Sequence, residues 1–436
     1  MANKELLQPY RGTKDYYPND YSRLDYIFSV WREACMAFGY EEYLAPLVED
    51  RELYTQKHAS GDEIANQQLY WLTDQGGREI AIRPEMTPSV SRMVGARYQQ
   101  LQKPIRWFSV ANFMRYERPQ KGRVREFFQL NIDNFGDSSV QVDVELIEVA
   151  IHIMRLFGAS SKMFEIRINN RKWFSYWLEH VVGVTENEQQ VSRIIDNLAK
   201  NTEEENSQKL GDAGLTPEQI DLVLRLPQLQ IDDLAQYLDK SEGAAELYAL
   251  MKSLEEKGYK EFIRYDASLL RGFDYYTGNV FEQFDLHPDN NRSMFGGGRY
   301  DDLVELYSGI SVPANGFAPG NVTTELFLDN WNLWPEFENN TDVLVTVFNE
   351  ELRHKSWGVA TSLRDAGLFV QLYLKQGEAI KEQLSYANKS GIPFVVILGP
   401  EEDEKGLLVW KNMISGEQRV VKLEGLLEEV TNGHAD

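Results

Sequence analysis

Phe113-Met114-Arg115-Tyr116-Glu117-Arg118-Pro119-Gln120-Lys121-Gly122-Arg123-Val124-Arg125-Glu126-Phe127-Phe128-Gln129 sets arginines and acids on a turn-rich segment between two apolar runs. Trp107-Phe108-Ser109-Val110 leads in, and Phe127-Phe128-Gln129-Leu130 leads out. That pattern predicts two antiparallel strands joined by a long polar loop. Arginines at strand ends can hold phosphate oxygens through forked, charge-assisted hydrogen bonds. A sheet-borne arginine clamp in a chain without a phosphate-binding loop points to a nucleotide site built on strands. The competing reading is a solvated hairpin tip with incidental charges.

The remaining sequence bounds the function. A chain of 436 residues with 42% hydrophobic and 26% charged residues has room for two or three soluble domains. No run reaches the length of a membrane span, and Met1-Ala2-Asn3-Lys4-Glu5 lacks a signal-peptide core. The one cysteine, Cys35, excludes internal disulfides and cysteine-based zinc sites, and its apolar neighbours make it a packed core thiol. The histidines show no metal-ligand spacing, so no protein-held metal is expected. A reducing cytoplasm fits. The net charge of -23 argues against non-specific nucleic-acid binding. Against that background, Arg115, Arg118, Lys121, Arg123 and Arg125 form the densest basic cluster.

Helical periodicity covers residues 22–38, stopping at Gly39, and residues 140–157, stopping at Gly158. Residues 69–73 and 79–84 flank Asp74-Gln75-Gly76-Gly77 as a hairpin. Phe164-Glu165-Ile166-Arg167-Ile168-Asn169 alternates as a strand, and strand patterns return at Ile263 and over residues 280–284. From about 184 to 257 the composition turns to Glu, Gln, Leu and Lys, as in a helical insertion. Leu215-Thr216-Pro217-Glu218 reads as one of its helix starts. Residues 331–340 read as a linker. Beyond it, residues 343–348, 369–373 and 394–398 look like buried strands of a mainly parallel α/β domain. None is followed by a dinucleotide-binding glycine pattern, so a macromolecule-binding module is expected there. Glu401-Glu402-Asp403-Glu404 reads as a solvated loop.

Three further segments carry chemistry. In Arg83-Pro84-Glu85-Met86-Thr87, the carboxylate and hydroxyl would project from one face of an extended chain and could grip an ammonium group. The alternative is a charged strand end. In Leu270-Arg271-Gly272-Phe273-Asp274-Tyr275-Tyr276-Thr277-Gly278, Arg271 could neutralise a carboxylate or phosphate, and the tyrosines could wall an aromatic group. Core tyrosines at a strand turn are the plainer account. The run Phe295-Gly296-Gly297-Gly298-Arg299-Tyr300-Asp301 suits either a tight hairpin or close approach of a substrate. Gly316-Phe317-Ala318-Pro319-Gly320 leads into a helix over residues 322–328, a placement suited to contact with a base or phosphate.

Together with Arg11-Gly12-Thr13-Lys14-Asp15, these segments resemble the histidyl-tRNA synthetases, a class II aminoacyl-tRNA synthetase family, over nearly the whole chain. Residues 115–123 look like motif 2, and residues 271–278 look like the histidine-specific signature. The last domain resembles the anticodon-binding domain through Gly391-Ile392-Pro393-Phe394 and Gly416-Glu417-Gln418. The resemblance implies an α+β catalytic domain over residues 1–330, with a six-stranded antiparallel sheet flanked by helices and the helical insertion. It implies a linker over 331–340, an anticodon-binding α/β domain over 341–436, and a homodimer, Pro46 matching the proline of motif 1. The substrates would be L-histidine, ATP with Mg2+, and tRNA(His). Arg115 would hold the α-phosphate, Arg123 the distal phosphates, and Glu117 would join the ATP site. Arg271 would polarise the reacting centre and contact both substrates. Glu85, Thr87 and Gln129 would hold the amino acid, with Asp133, Tyr275 and Tyr276 around its imidazole. Gln120 would meet the tRNA acceptor end.

The sequence departs from the family at two places. Phe128 replaces the histidine that precedes the motif 2 glutamine, which reads as a packing change. In Asn321-Val322-Thr323-Thr324-Glu325, Thr323 stands where motif 3 has its arginine. A charge-assisted contact contributes about 1.5–3 kcal/mol, so its loss would slow adenylation on the order of tens to hundreds of fold. That opens the reading of a histidine-binding paralogue that does not charge tRNA, such as the regulatory subunit of ATP phosphoribosyltransferase, or a sensor. The presence of Arg115, the Arg271 segment and the last domain favours the enzyme.

Overall fold

The computed structural model describes residues 7–56, 67–118, 122–270, 276–290, 292–337 and 339–433. The chain forms two compact units, Met1–Trp334 and Pro335–Asp436.

In the first unit, β1 (Glu41–Glu42) follows the helix Pro18–Ala37, whose Pro18 occupies the first turn and whose end is closed by Gly39 at φ 76°. β2 (Val48–Asp50), β3 (Trp71–Thr73) and β4 (Glu79–Ile82) form a small antiparallel sheet in the order β2-β4-β3. The expected hairpin joins β3 to β4. Its turn is held by the Asp74 carboxylate, which accepts from the Gly76 and Arg78 amides at 2.8 and 2.9 Å.

The large sheet adds β5 (Ile105–Met114), β6 (Glu126–Phe135), β7 (Phe164–Asn170), β8 (Ile263–Tyr265), β9 (Asn279–Asp285), β10 (Ser293–Arg299) and β11 (Ala314–Phe317). Its order is β1-β5-β6-β11-β10-β9-β7-β8. The central strands, β5 to β7 in that order, are all antiparallel, as the resemblance implied. The sheet is nevertheless mixed, because β1 and β8 add parallel edges to β5 and β7. β8 begins at Ile263, where the sequence shows a strand pattern, whereas β1 is only 2 residues long, too short for a period-two signal to stand out.

Helices Pro18–Ala37 and Val140–Leu156 cover one face, and Trp31, Ile147 and Ile151 are fully or nearly fully buried there. Burying such a side chain contributes about 1.5–3 kcal/mol. Short helices follow from Glu188, and Glu242–Glu256 packs back on the core through Leu247, Leu250 and Leu254. Thr216 caps Pro217–Arg225 in a reciprocal box with Gln219, with Pro217 in the first turn.

The triple glycine is not a hairpin. Gly296, Gly297 and Gly298 lie inside β10, between β9 and β11. A Cβ on Gly297 would meet the Gly316 carbonyl at 2.6 Å and the Phe281 ring at 2.8 Å. One on Gly298 would meet the Asn279 carbonyl at 2.6 Å. Gly297 and Gly298 serve close packing in the sheet, and Gly296 lines the cavity described below.

In the second unit, β12 (Val343–Val345), β13 (Val370–Leu372) and β14 (Phe394–Ile397) are parallel, as expected. β15 (Leu408–Asn412) and β16 (Gln418–Val421) extend the sheet antiparallel, in the order β13-β12-β14-β15-β16. The acidic run is not a loop: Pro400–Lys405 is a helix with Glu401, Glu402 and Asp403 in its first turn. Negative charge there complements the helix N-terminus, and Lys355 reaches Asp403 at 2.6 Å.

Candidate functional site

A cavity of about 520 Å³ opens over β6, β9, β10 and β11. Alternation along β6 builds one wall. Phe127, Gln129, Asn131 and Asp133 all line the cavity, two residues apart, while Phe128 points away. Phe128 packs instead against Phe28 and Tyr16, at ring distances of 5.1 and 6.3 Å. Its departure from the family is a packing change, as read from the sequence. The Gln129 amide donates to the Ala318 carbonyl at 3.0 Å, fixing its oxygen end.

Asp133 is the most constrained group. It is 1% exposed and accepts hydrogen bonds from the Asn131 amide and the Tyr300 phenol, one on each carboxylate oxygen. Burial outweighs these bonds and pushes its pKa up to about 7. Gly316 lies across from Asp133 in the β11–β6 ladder. A Cβ there would strike the Asp133 carboxylate and meet the Ile132 carbonyl at 2.6 Å. Tyr276 also lines the cavity; burial raises its phenol pKa, and the carboxylates of Glu85, Glu282 and Asp133 raise it further.

Arg115 follows directly after β5. Its Nε donates to the Pro84 carbonyl at 3.0 Å and its guanidinium lies 5.2 Å from the Phe127 ring centre. Both contacts fix the plane of the group. Arg123 is 3.6 Å from Glu117, and both line the cavity. The return strand is seated by the amino-terminal motif: the Gly12 carbonyl accepts from the Arg125 amide at 2.7 Å. Gly12 has φ 92°, and a Cβ there would meet Arg125 Cγ at 2.8 Å.

Glu85 and Thr87 line the same cavity, but not from an extended strand. The chain turns after β4, and Thr87 opens the helix Thr87–Arg97. The convergence therefore comes from a strand-to-helix junction. Arg271, Tyr275 and Gln120 lie outside the described residues. Thr323 lines the cavity, with its hydroxyl 3.1 Å from each of the Met294 and Gly320 carbonyls. Among the described residues lining the cavity, the arginines are Arg115 and Arg123.

Three polar lining residues had no role from sequence: Asn131, Tyr300 and Glu282. Asn131 was legible from the period of β6, lying between Gln129 and Asp133. Glu282 sits in an alternating strand whose partners only the fold supplies. Among the described residues, no group of three or more histidine, cysteine, aspartate or glutamate side chains could hold a metal.

The cavity is lined by a buried acceptor with fixed orientation, Asp133, and by Arg115, anchored between a carbonyl and an aromatic face. The chain as a whole is similar to known proteins. The histidyl-tRNA synthetase family model matches residues 12–320, and the anticodon binding domain model matches residues 342–433. A histidine–tRNA ligase of Leptospira biflexa is 36% identical over 432 residues, covering 98% of each chain. The crystal structure of histidyl-tRNA synthetase from Nostoc sp. has a TM-score of 0.80 at 25% identity, covering 98% of both chains. A Bacillus halodurans chain described as ATP phosphoribosyltransferase regulatory subunit/histidyl-tRNA synthetase shares the fold, with a TM-score of 0.72 at 23% identity. It covers 87% of this chain and 96% of its own. With a class II catalytic domain followed by an anticodon-binding domain, and a family model matching most of its length, this chain belongs to the histidyl-tRNA synthetase family.

Proposed function

We propose that the chain is a histidine–tRNA ligase. A histidine carboxylate oxygen attacks the α-phosphorus of ATP, the bond to the bridging oxygen breaks, and pyrophosphate leaves. A terminal ribose hydroxyl of tRNA(His) then attacks the histidyl carbonyl, and AMP leaves. ATP enters as its magnesium complex. The observation that carries the reading is Asp133, buried and gripped by Asn131 and Tyr300, in the same cavity as the anchored Arg115. The first fits an imidazole N–H; the second fits an α-phosphate. Glu85 and Thr87 hold the amine, Gln129 orients the carboxylate, and Arg123 and Glu117 serve ATP. Arg271, Tyr275 and Gln120 keep the roles the resemblance gives them. Such catalysis rests on positioning and charge neutralisation. In this reading residues 1–330 are catalytic, with the helical insertion at about 184–257, residues 331–340 link, and residues 341–436 bind the anticodon. The compartment is the cytoplasm; among the described residues, no helix is long and apolar enough to cross a membrane.

Histidine-dependent ATP–pyrophosphate exchange, followed by charging of tRNA(His), tests the assignment. Exchange with charging is the expected result. Histidine binding without exchange would favour the second reading, a non-charging regulatory or sensing paralogue, which Thr323 supports. Installing the family's arginine measures that departure directly. Thr323→Arg is expected to speed exchange on the order of tenfold through a lower ATP KM. An unchanged or lower rate would show that Arg115 and its neighbours already suffice.

The homodimer is supported by apolar side chains exposed on the small sheet and the segment before it: Leu44, Leu47, Val48, Trp71 and Leu72 are 42–70% exposed. Light scattering should give twice the chain mass for the wild type. Leu44→Asp with Leu72→Asp should give the chain mass, and a dimer that survives both changes would place the interface elsewhere.

A further inference from the structure

We propose that Arg83 is a positioning residue for Glu85 and Arg115, tying both to the segment Ala45–Leu47. Its guanidinium is 4% exposed, yet its hydrogen bonds among the described residues all go to uncharged oxygens. Nη1 donates to the Ala45 carbonyl at 2.8 Å and lies 3.5 Å from the Pro46 carbonyl. Nε donates to the Asn112 carbonyl at 2.9 Å, and Nη2 to the Asn112 side-chain oxygen at 3.2 Å. Burying a charge without a paired carboxylate is costly. Only a planar fork reaches acceptors on both sides at once. The backbone repeats the connection: the Arg83 amide donates to the Leu47 carbonyl at 3.0 Å, and its carbonyl accepts from Met114 at 3.2 Å.

The binding groups hang from the next residues. The Pro84 carbonyl holds Arg115 Nε at 3.0 Å, and Glu85 enters the cavity. A shift of Arg83 therefore moves the anchor of the phosphate-binding arginine and the amine-binding carboxylate together. The partners of Arg83 also include the carbonyls of Ala45, Pro46 and Leu47, next to the exposed face carrying Leu44 and Val48. Movement of that face reaches both substrate groups through one residue, by its side chain and its main chain.

The inference rests on the ligase reading for which ligands the cavity takes, and its test separates the two. Histidine and ATP binding are measured by calorimetry on the full chain, with melting temperatures alongside, for wild type, Arg83→Lys, Glu85→Gln and the double variant. Arg83→Lys keeps the charge but not the fork. It is expected to raise both Kd values on the order of tenfold. On the Glu85→Gln background it should add far less to the histidine Kd, because both changes act through one carboxylate. A lower melting temperature with unchanged Kd values, or full additivity in the double variant, would overturn the proposal. If Arg83→Lys does not fold, Asn112→Ala removes one acceptor and leaves the guanidinium in place. It should raise both Kd values in the same direction, and unchanged values would count against the proposal. Wild-type histidine binding without pyrophosphate exchange would sink the ligase reading while leaving the Arg83 comparison decisive. A wild type that binds neither ligand would overturn both.

Discussion

Asp133→Asn is expected to lower kcat/KM for histidine on the order of a hundredfold and leave the ATP KM within about twofold. The carboxylate is buried, and its two oxygens are held separately by Asn131 and Tyr300. It therefore cannot turn to suit another partner. Asparagine keeps the shape but loses the charge, and an amide nitrogen turned towards the Asn131 side-chain NH2 would set two donors against each other. Sites built around a buried hydrogen bond discriminate strongly because the wrong partner leaves a polar group unpaired. Unchanged histidine kinetics in this variant would remove Asp133 from the imidazole site.

The same residue sets a pH dependence. Burial lifts its pKa from 3.8 to about 7, so the folded chain holds a proton that the unfolded chain has already released between those values. Its contribution to stability is therefore greatest below about pH 4 and is lost as the pH rises through about 7. The asparagine variant carries no such term, so its melting temperature should gain on the wild type between pH 5 and pH 8. Histidine affinity should strengthen over the same interval as Asp133 ionises. Free histidine also titrates near pH 6.5, so the difference between wild type and variant isolates the part that belongs to Asp133.

Arg115→Ala is expected to slow pyrophosphate exchange by a factor of about a hundred to a thousand, with the histidine Kd changed little. Anchoring by Pro84 and Phe127 means that the guanidinium plane is set before ATP arrives. In the proposed reaction, with Thr323 where the resemblance puts the motif 3 arginine, more of the charge neutralisation would fall on Arg115. Arg115→Lys should lie between the two, because it keeps charge without the fork. Exchange and histidine binding failing together would point instead to collapse of the Pro84–Glu85 turn.

Much of the site could be read along the chain because its residues come in local patterns. The period of β6 places Gln129 and Asp133 on one face, and the apolar flanks of the motif 2 segment mark β5 and β6. What escaped depends on neighbours distant in sequence. The triple glycine reads like a turn until Phe281 and Gly316 are known to press on it from the adjoining strands. Tyr300 gains its role from Asp133, and Arg83 from Ala45 and Asn112, none of them close in sequence. Glu401, Glu402 and Asp403 suggested a loop by charge alone. Their favourable position beside a helix N-terminus, just after Pro400, tipped the segment into a helix. β15 and β16 are short and half exposed, so their apolar pattern is faint.

The glycine-built part of β10 and β11 also divides the pocket into what can be redesigned and what cannot. Gly296 and Gly316 line it with main chain, and added carbon at Gly316, or at Gly297 and Gly298 beside them in the sheet, would collide with an adjoining strand before it could reshape the space. In the proposed ligase, changes of amino-acid specificity would therefore come through side chains lining the cavity: Asp133, Tyr276, Tyr300 and Gln129. A library randomised at those side chains samples new pockets, whereas one randomised at Gly297, Gly298 or Gly316 mainly samples broken sheets.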